Sequence, residues 1–321
     1  MIFNKNNNGS EEVKAVLGFV HASLNFSNLI NFMPFAKKDL LKVIGKEVYK
    51  LAEDHYNSEA FGNEEKAELN ELVKLIQTVI AYHAYRRFVK SNDLTHSDTG
   101  RQITVTDTDK PAFEWMVDKD DANLLSLANE TLELLLDYLD EQLGTDEPSD
   151  IGNAWMESAA FKNINSCMVN RVEEFEKVFV INSSRRIFLM LAPFIRKAER
   201  AYIPGAIMMS RYSAIIEAIK DGDLSEEQQA IRELATPVIV NFALSKALKV
   251  LPVESLPDVF GEKFIADKLA DVDTDARLGA AQVFENEAKL DYSRLQRHIR
   301  YLTPIVEEEP ENDPTQPFFM F

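Results

Sequence analysis

The 321-residue chain holds a single cysteine, Cys167. One thiol excludes an internal disulfide and any zinc site built from cysteines. It fits a cytosolic or otherwise disulfide-independent setting. Glycine is scarce, at 11 residues, about half its usual share of roughly 7%. With 12 prolines beside it, the chain has few tight turns, which favours helices over a sandwich or barrel. No run of 18 apolar residues occurs, so no transmembrane span is expected. The polar, Asn-rich opening from Met1 to Ser10 lacks the apolar centre of a signal peptide. Basic residues are outnumbered 35 to 53, leaving a net charge of −18. Such a surface repels phosphate backbones and disfavours both sequence-specific nucleic-acid binding and docking on anionic membranes.

Apolar residues, in contrast, are plentiful, at 45%. That is the ordinary globular fraction and excludes disorder over the whole length. The length points to one large domain or two of ordinary size.

The common chemical signatures are missing as well. There is no G-x-G-x-x-G, no G-x-x-x-x-G-K-[ST] and no H-E-x-x-H. A di-iron helix bundle needs Glu three residues before His, so that both ligands face one site. The positions three before the five histidines are Gly18, Ala52, Ile80, Asp93 and Leu295. The Asp93–His96 pair is alone in having a carboxylate there, and it falls in a loop. Cys167 reads as a buried, inert thiol, and His55 and His83 as packing or interface residues. The acidic groups at Asp118 with Asp120 and Asp121, Glu173 with Glu174, and Glu307 to Glu309 read as solvated faces or tails. The expectation is a protein that is not an enzyme, with no catalytic residue, no cofactor and no metal site.

The apolar spacing is helical over most of the chain. Leu40, Leu41, Ile44, Val48 and Leu51 predict a helix from Phe35 to Tyr56, followed by a turn at 57–63. Leu69, Leu72, Val73, Ile76, Ile80, Ala84 and Phe88 form one stripe of a long helix from Glu64 to Lys90. Its acids come first and its bases last, as the helix dipole prefers. A Thr-, Asp- and Ser-rich loop follows, in which Ile103 to Thr106 alternates and predicts a short β element near 101–106. Helices are expected over Pro111–Leu143, Trp155–Val180, Arg186–Lys220, Ser225–Val250, Val259–Leu269 and Ala276–Tyr301. Ser225 with Gln228 is an N-cap signal. Residues 144–152, small, acidic and Pro-containing, read as a linker.

Sliding the chain against itself by 159 places lays Pro34-Phe35 over Pro193-Phe194, Leu72 over Ile231 and Val79-Ile80 over Val238-Ile239, without a gap from Pro34 to Val89. A shift of 154 pairs Leu136-Asp137-Tyr138 with Leu290-Asp291-Tyr292. The expected fold class is therefore all-α, with two similar helical-bundle units from an internal duplication, a short β element and an extended C-terminal arm. The boundaries are an N-terminal leader at 1–28, flexible over 1–12, a first unit at 29–143, the linker at 144–152, a second unit at 153–302 and an arm at 303–321.

Two basic clusters stand out against the acid background: Arg86, Arg87 and Lys90, and Arg185, Arg186, Arg196, Lys197 and Arg200. They read as helix-end charge or as contacts with an acidic partner surface, with Arg86, Arg87, Arg196 and Lys197 as the interface candidates. The arm carries Pro304, Pro310, Pro314 and Pro317 among acids and then reads Phe318-Phe319-Met320-Phe321. Each of these four large apolar side chains forgoes about 1.5–3 kcal/mol if left in water, so they are the candidate docking plug, in cis or in a neighbouring subunit.

The run from about Leu29 to Leu143 resembles the head–tail adaptor proteins of tailed bacteriophages. The likeness lies in the order of an early helix, a long helix ending in Ala81-Tyr-His-Ala-Tyr-Arg-Arg-Phe, a Thr-rich loop near Gly100 and a Leu-rich last helix. The stretch from Thr99 to Trp115 is also similar to an uncharacterised phage and prophage family. The resemblance implies a non-enzymatic structural virion protein. It would form a homo-oligomeric ring between the phage portal and tail proteins, at the neck of a virion assembled in the host cytoplasm. DNA would pass through the ring without being specifically bound, and no membrane would be involved. Typical adaptors are much shorter, so the match covers this chain only if the second half is a copy. The rival expectation is a cytosolic all-helical adaptor or regulator that binds one partner protein, as a monomer or dimer.

Overall fold

A computed structural model describes residues 1–18, 24–93, 95–98, 100–102, 112–144, 148–251 and 274–302. The protein is all-α. In the first half, α1 (Gly9–Leu17) and α2 (Phe26–Leu29) precede three long helices, α3 (Met33–Asn57), α4 (Ala67–Asn92) and α5 (Glu114–Glu141). Three short helices follow, α6 (Asp150–Glu157), α7 (Ala159–Asn165) and α8 (Val172–Glu176). The second half is built from α9 (Arg185–Ile207), α10 (Met209–Asp221), α11 (Glu226–Val250) and α12 (Thr274–Leu302). Between α4 and α5, Thr95–Ser97 pairs antiparallel with Gly100–Gln102 as a small ribbon. The predicted strand at Ile103 to Thr106, the helix at Val259–Leu269 and the arm at 303–321 lie outside the described residues.

Each half has a long helix packed between two others: α4 against α3 and α5, and α11 against α9 and α12. A helix held on two sides must be apolar around more than one face. Val79, Ile80 and Ala81 are accordingly buried in succession in α4, as is every residue from Val238 to Ser245 in α11. Pro237 inside α11, and Pro193 and Pro204 inside α9, each remove a helical N–H. Burial on both sides outweighs that loss. Ser225 starts α11 with a full capping box, its Oγ accepting from the Gln228 N–H while its own N–H donates to the Gln228 side chain, as the sequence predicts.

The two long middle helices also correspond position by position. α4 begins at Ala67 and α11 at Glu226, 159 residues later. Leu72, Val73, Ile76, Gln77, Val79, Ile80, Ala81 and Ala84 are buried in α4. At that spacing they fall on Ile231, Arg232, Ala235, Thr236, Val238, Ile239, Val240 and Ala243, all buried in α11. The last-helix pairing read at a shift of 154 fails, because Leu136 is fully buried and Leu290 is 63% exposed. A spacing of 160 instead lays buried Ala128, Leu135 and Leu139 over buried Ala288, Leu295 and Ile299.

Two separate cores result. One runs from Ile2 to Trp155 and the other from Ile164 to Ile299, and Leu189 packs against both. This corrects the expected boundaries. Residues 1–18 are no flexible leader: Ile2 and Phe3 are buried, and the Ile2 carbonyl accepts from Gln77 Nε2 at 2.8 Å. The asparagine run that suggested flexibility is a turn, with Asn4, Asn6 and Asn7 at positive φ, a region Asn tolerates better than most residues. Residues 148–152 are no free linker either. Ser149 caps α6, and Ile151 and Trp155 are buried in the first core. The halves meet at Ser158, which is fully buried and caps α7.

Breaks also interrupt two segments read as continuous helix. Trp155–Val180 divides into three short helices because Ser158 and Ser166 offer the backbone side-chain partners in place of helical ones. Arg186–Lys220 breaks at Met208, which adopts φ 71°. A comparable break lies inside α3 at Gly45, φ 86°. There a side chain is doubly excluded, since a Cβ would sit 2.8 Å from the Ser158 Cβ. Gly45 thus lets α3 bend around the corner where the halves join.

Candidate docking site

The junction between the halves is tied by ions and hydrogen bonds. Asp140 on α5 accepts from Trp155 Nε1 at 2.7 Å and pairs with Arg185 at 2.8 Å. Glu133, about two turns earlier on the same helix, accepts from the Arg186 N–H at 2.9 Å and from the Ser184 hydroxyl. Ser184 caps α9 through the Ile187 N–H. The first core and the first turn of α9 are therefore fixed to one another.

Beside these ties lies a groove of about 370 Å³ between α3, α7 and α9. Val43, Ala160, Leu189 and Met190 line it as half-buried apolar side chains, and Lys42, Arg186 and Arg196 bring cations to it. Its volume falls within the range of binding pockets, roughly 300–1,000 Å³, and an apolar lining with a few placed charges is their usual chemistry. Asp39 links this rim to the first basic cluster, holding Lys42 at 2.7 Å and Arg87 at 2.6 Å. Arg87 also lies 5.9 Å over the exposed ring of Phe35.

The predicted interface residues thus have different fates. Arg196 lines the groove and donates to Asn163 on its wall. Arg87 reaches the groove through Asp39 and Lys42. Arg86 turns inward, with a buried Nε that has no hydrogen-bond partner. Lys197 does not line the groove; its charge acts on Lys246, whose pKa is lowered by burial first and by Lys197 and Lys249 second. Phe318, Phe319, Met320 and Phe321 lie outside the described residues. A further apolar patch is exposed at the start of α5, at Phe113, Trp115 and Met116.

The perturbed groups away from the groove are structural. His83 forms a hydrogen bond to the Ala128 backbone; burial, then the charges of Arg86 and Arg87, lower its pKa to about 4. Glu199 is fully buried. It accepts from the Met168 N–H at 2.8 Å and the Tyr212 hydroxyl at 2.8 Å, and burial raises its pKa to about 7. Arg232 completes the clamp on the same loop, donating to the Met168 carbonyl at 2.9 Å and to Asn170 at 3.0 Å. Cys167 stands beside this network, its thiol pushed up to about 12 by burial and by Glu199. That agrees with the inert reading. Sequence reasoning missed Glu199. The available signal was a carboxylate on an apolar stripe, between Ile195 and Ile203 at four-residue spacing. Among the described residues, no group of three His, Cys, Asp or Glu side chains is placed to hold a metal ion, and no helix is long and apolar enough to cross a membrane.

Residues 38–145 match a family of unknown function, DUF6712. The match covers about one third of the chain and coincides with α3 to α5 of the first half. No curated protein and no solved structure matches the chain.

Proposed function

We propose that this protein is a non-enzymatic structural subunit that assembles with copies of itself into a ring, serving as a connector between a phage portal and tail. The observation that carries the reading is the correspondence of α4 and α11. It supports two copies of one helical unit, and duplication is what the resemblance to head–tail adaptors requires of a chain this long. The family match over residues 38–145 falls on one such unit, which is consistent with a repeatable module. The charge of −18 fits a channel wall that DNA slides past without sticking. Neighbouring subunits, portal and tail proteins are the partners, and Phe318 to Phe321 are the assembly plug.

Deletion of residues 310–321 is expected to block assembly and leave the far-ultraviolet circular dichroism unchanged. The truncated chain forming rings of normal mass is the result that would sink the plug.

A further inference from the structure

We infer that the groove between α3, α7 and α9 is the receptor for segment 303–321 of a neighbouring copy; the inference rests on the ring reading above. Two complementarities carry it. The segment holds Glu307, Glu308, Glu309, Glu311 and Asp313 and no Lys or Arg. The groove is lined by Lys42, Arg186 and Arg196, the first held by Asp39 and the second by Glu133, in a chain where acids outnumber bases 53 to 35. The groove lining of Val43, Ala160, Leu189 and Met190 takes apolar side chains, and the segment supplies Phe318, Phe319, Met320 and Phe321. Opposite charge at the rim steers and orients the segment, while burial of its rings supplies the affinity.

The occupant is assigned to a neighbour because the ring reading needs a contact between copies. The segment follows α12, which packs on α11 and also on α9, one wall of the groove, so the cross-link pattern is what separates a neighbour's segment from the chain's own. A contact between two unlike surfaces of identical chains is head-to-tail, and head-to-tail contacts form a ring where the rotation between copies closes. The groove also sits where the two cores meet, at Leu189. A segment seated there therefore touches both halves of the subunit that receives it.

The test uses the full chain with the double substitution Met190→Cys and Phe319→Cys under mild oxidation, together with the native mass. Cys167 is buried with a raised pKa, so it does not compete. The expected result is a ladder of covalent oligomers on a denaturing gel, absent from either single variant. Adding Arg196→Glu is expected to cut the ladder yield about tenfold. A ring of normal mass with no ladder overturns the groove as receptor and leaves the ring reading standing. A cross-linked species of monomer mass overturns the neighbour as donor. A chain that stays monomeric before oxidation overturns both the ring reading and this inference.

Discussion

Replacing Glu199 with Ala is expected to cost the second half about 3–5 kcal/mol, from the several buried partners it abandons. The carboxylate accepts from the Met168 N–H and the Tyr212 hydroxyl, and the Val169 N–H also bonds to it. The two backbone donors cannot reach water, because Glu199, Met168 and Val169 are all fully buried, while Tyr212 is half-buried. Glu199→Gln should cost far less, because its carbonyl can still accept from the loop and its amide can donate to Tyr212. Both tryptophans, Trp115 and Trp155, lie in the first half, so their fluorescence follows that half, while circular dichroism follows the whole helical chain. In Glu199→Ala, urea should produce an early loss of dichroism that precedes the fluorescence change. A variant that unfolds within about 1 kcal/mol of the parent would remove the clamp from the account.

The second large effect is a response to pH of opposite sign in the two halves. His83 has its pKa lowered in the fold to about 4. Its neutral state therefore favours folding above the unfolded value of about 6.5, and that advantage is lost as the pH falls toward 4. The loss by pH 5 is about 2 kcal/mol. Glu199 has its pKa raised to about 7, so its contribution is fully present below the unfolded value and is lost as the pH rises through 7. Going from pH 7 to pH 5 restores about 2 kcal/mol to the second half. The fluorescence transition should thus move to lower urea on acidification, and the dichroism transition of the second half to higher urea. His83→Gln should flatten the first shift and Glu199→Gln the second. Shifts of the same sign in both halves, or a slope unchanged by His83→Gln, would contradict this assignment.

The helix class and the positions of the long helices were legible from the sequence because apolar spacing in α3, α4, α11 and α12 is regular and the helices are long. Ser225 announced its helix by a capping box. Three things were not legible. Ile2 and Phe3 are only two apolar residues ahead of an asparagine run, and nothing local distinguishes a frayed end from a strap across α4. Gly45 breaks α3 because Ser158 presses against it from over a hundred residues away, a contact no local pattern carries. The groove is a product of the junction: Lys42 belongs to α3 and Arg186 and Arg196 to α9, and the sequence offered Arg196 with no hint that Lys42 would line the same groove. Lys197, its neighbour in the chain, lies elsewhere on the helix, as the helical period dictates.

Assembly is decided by the native mass of the full 36.5 kDa chain in solution. The expected result is one species whose mass is that of many subunits, stable to dilution. A species of one or two chains would contradict it, and would return the protein to an adaptor that binds a single partner.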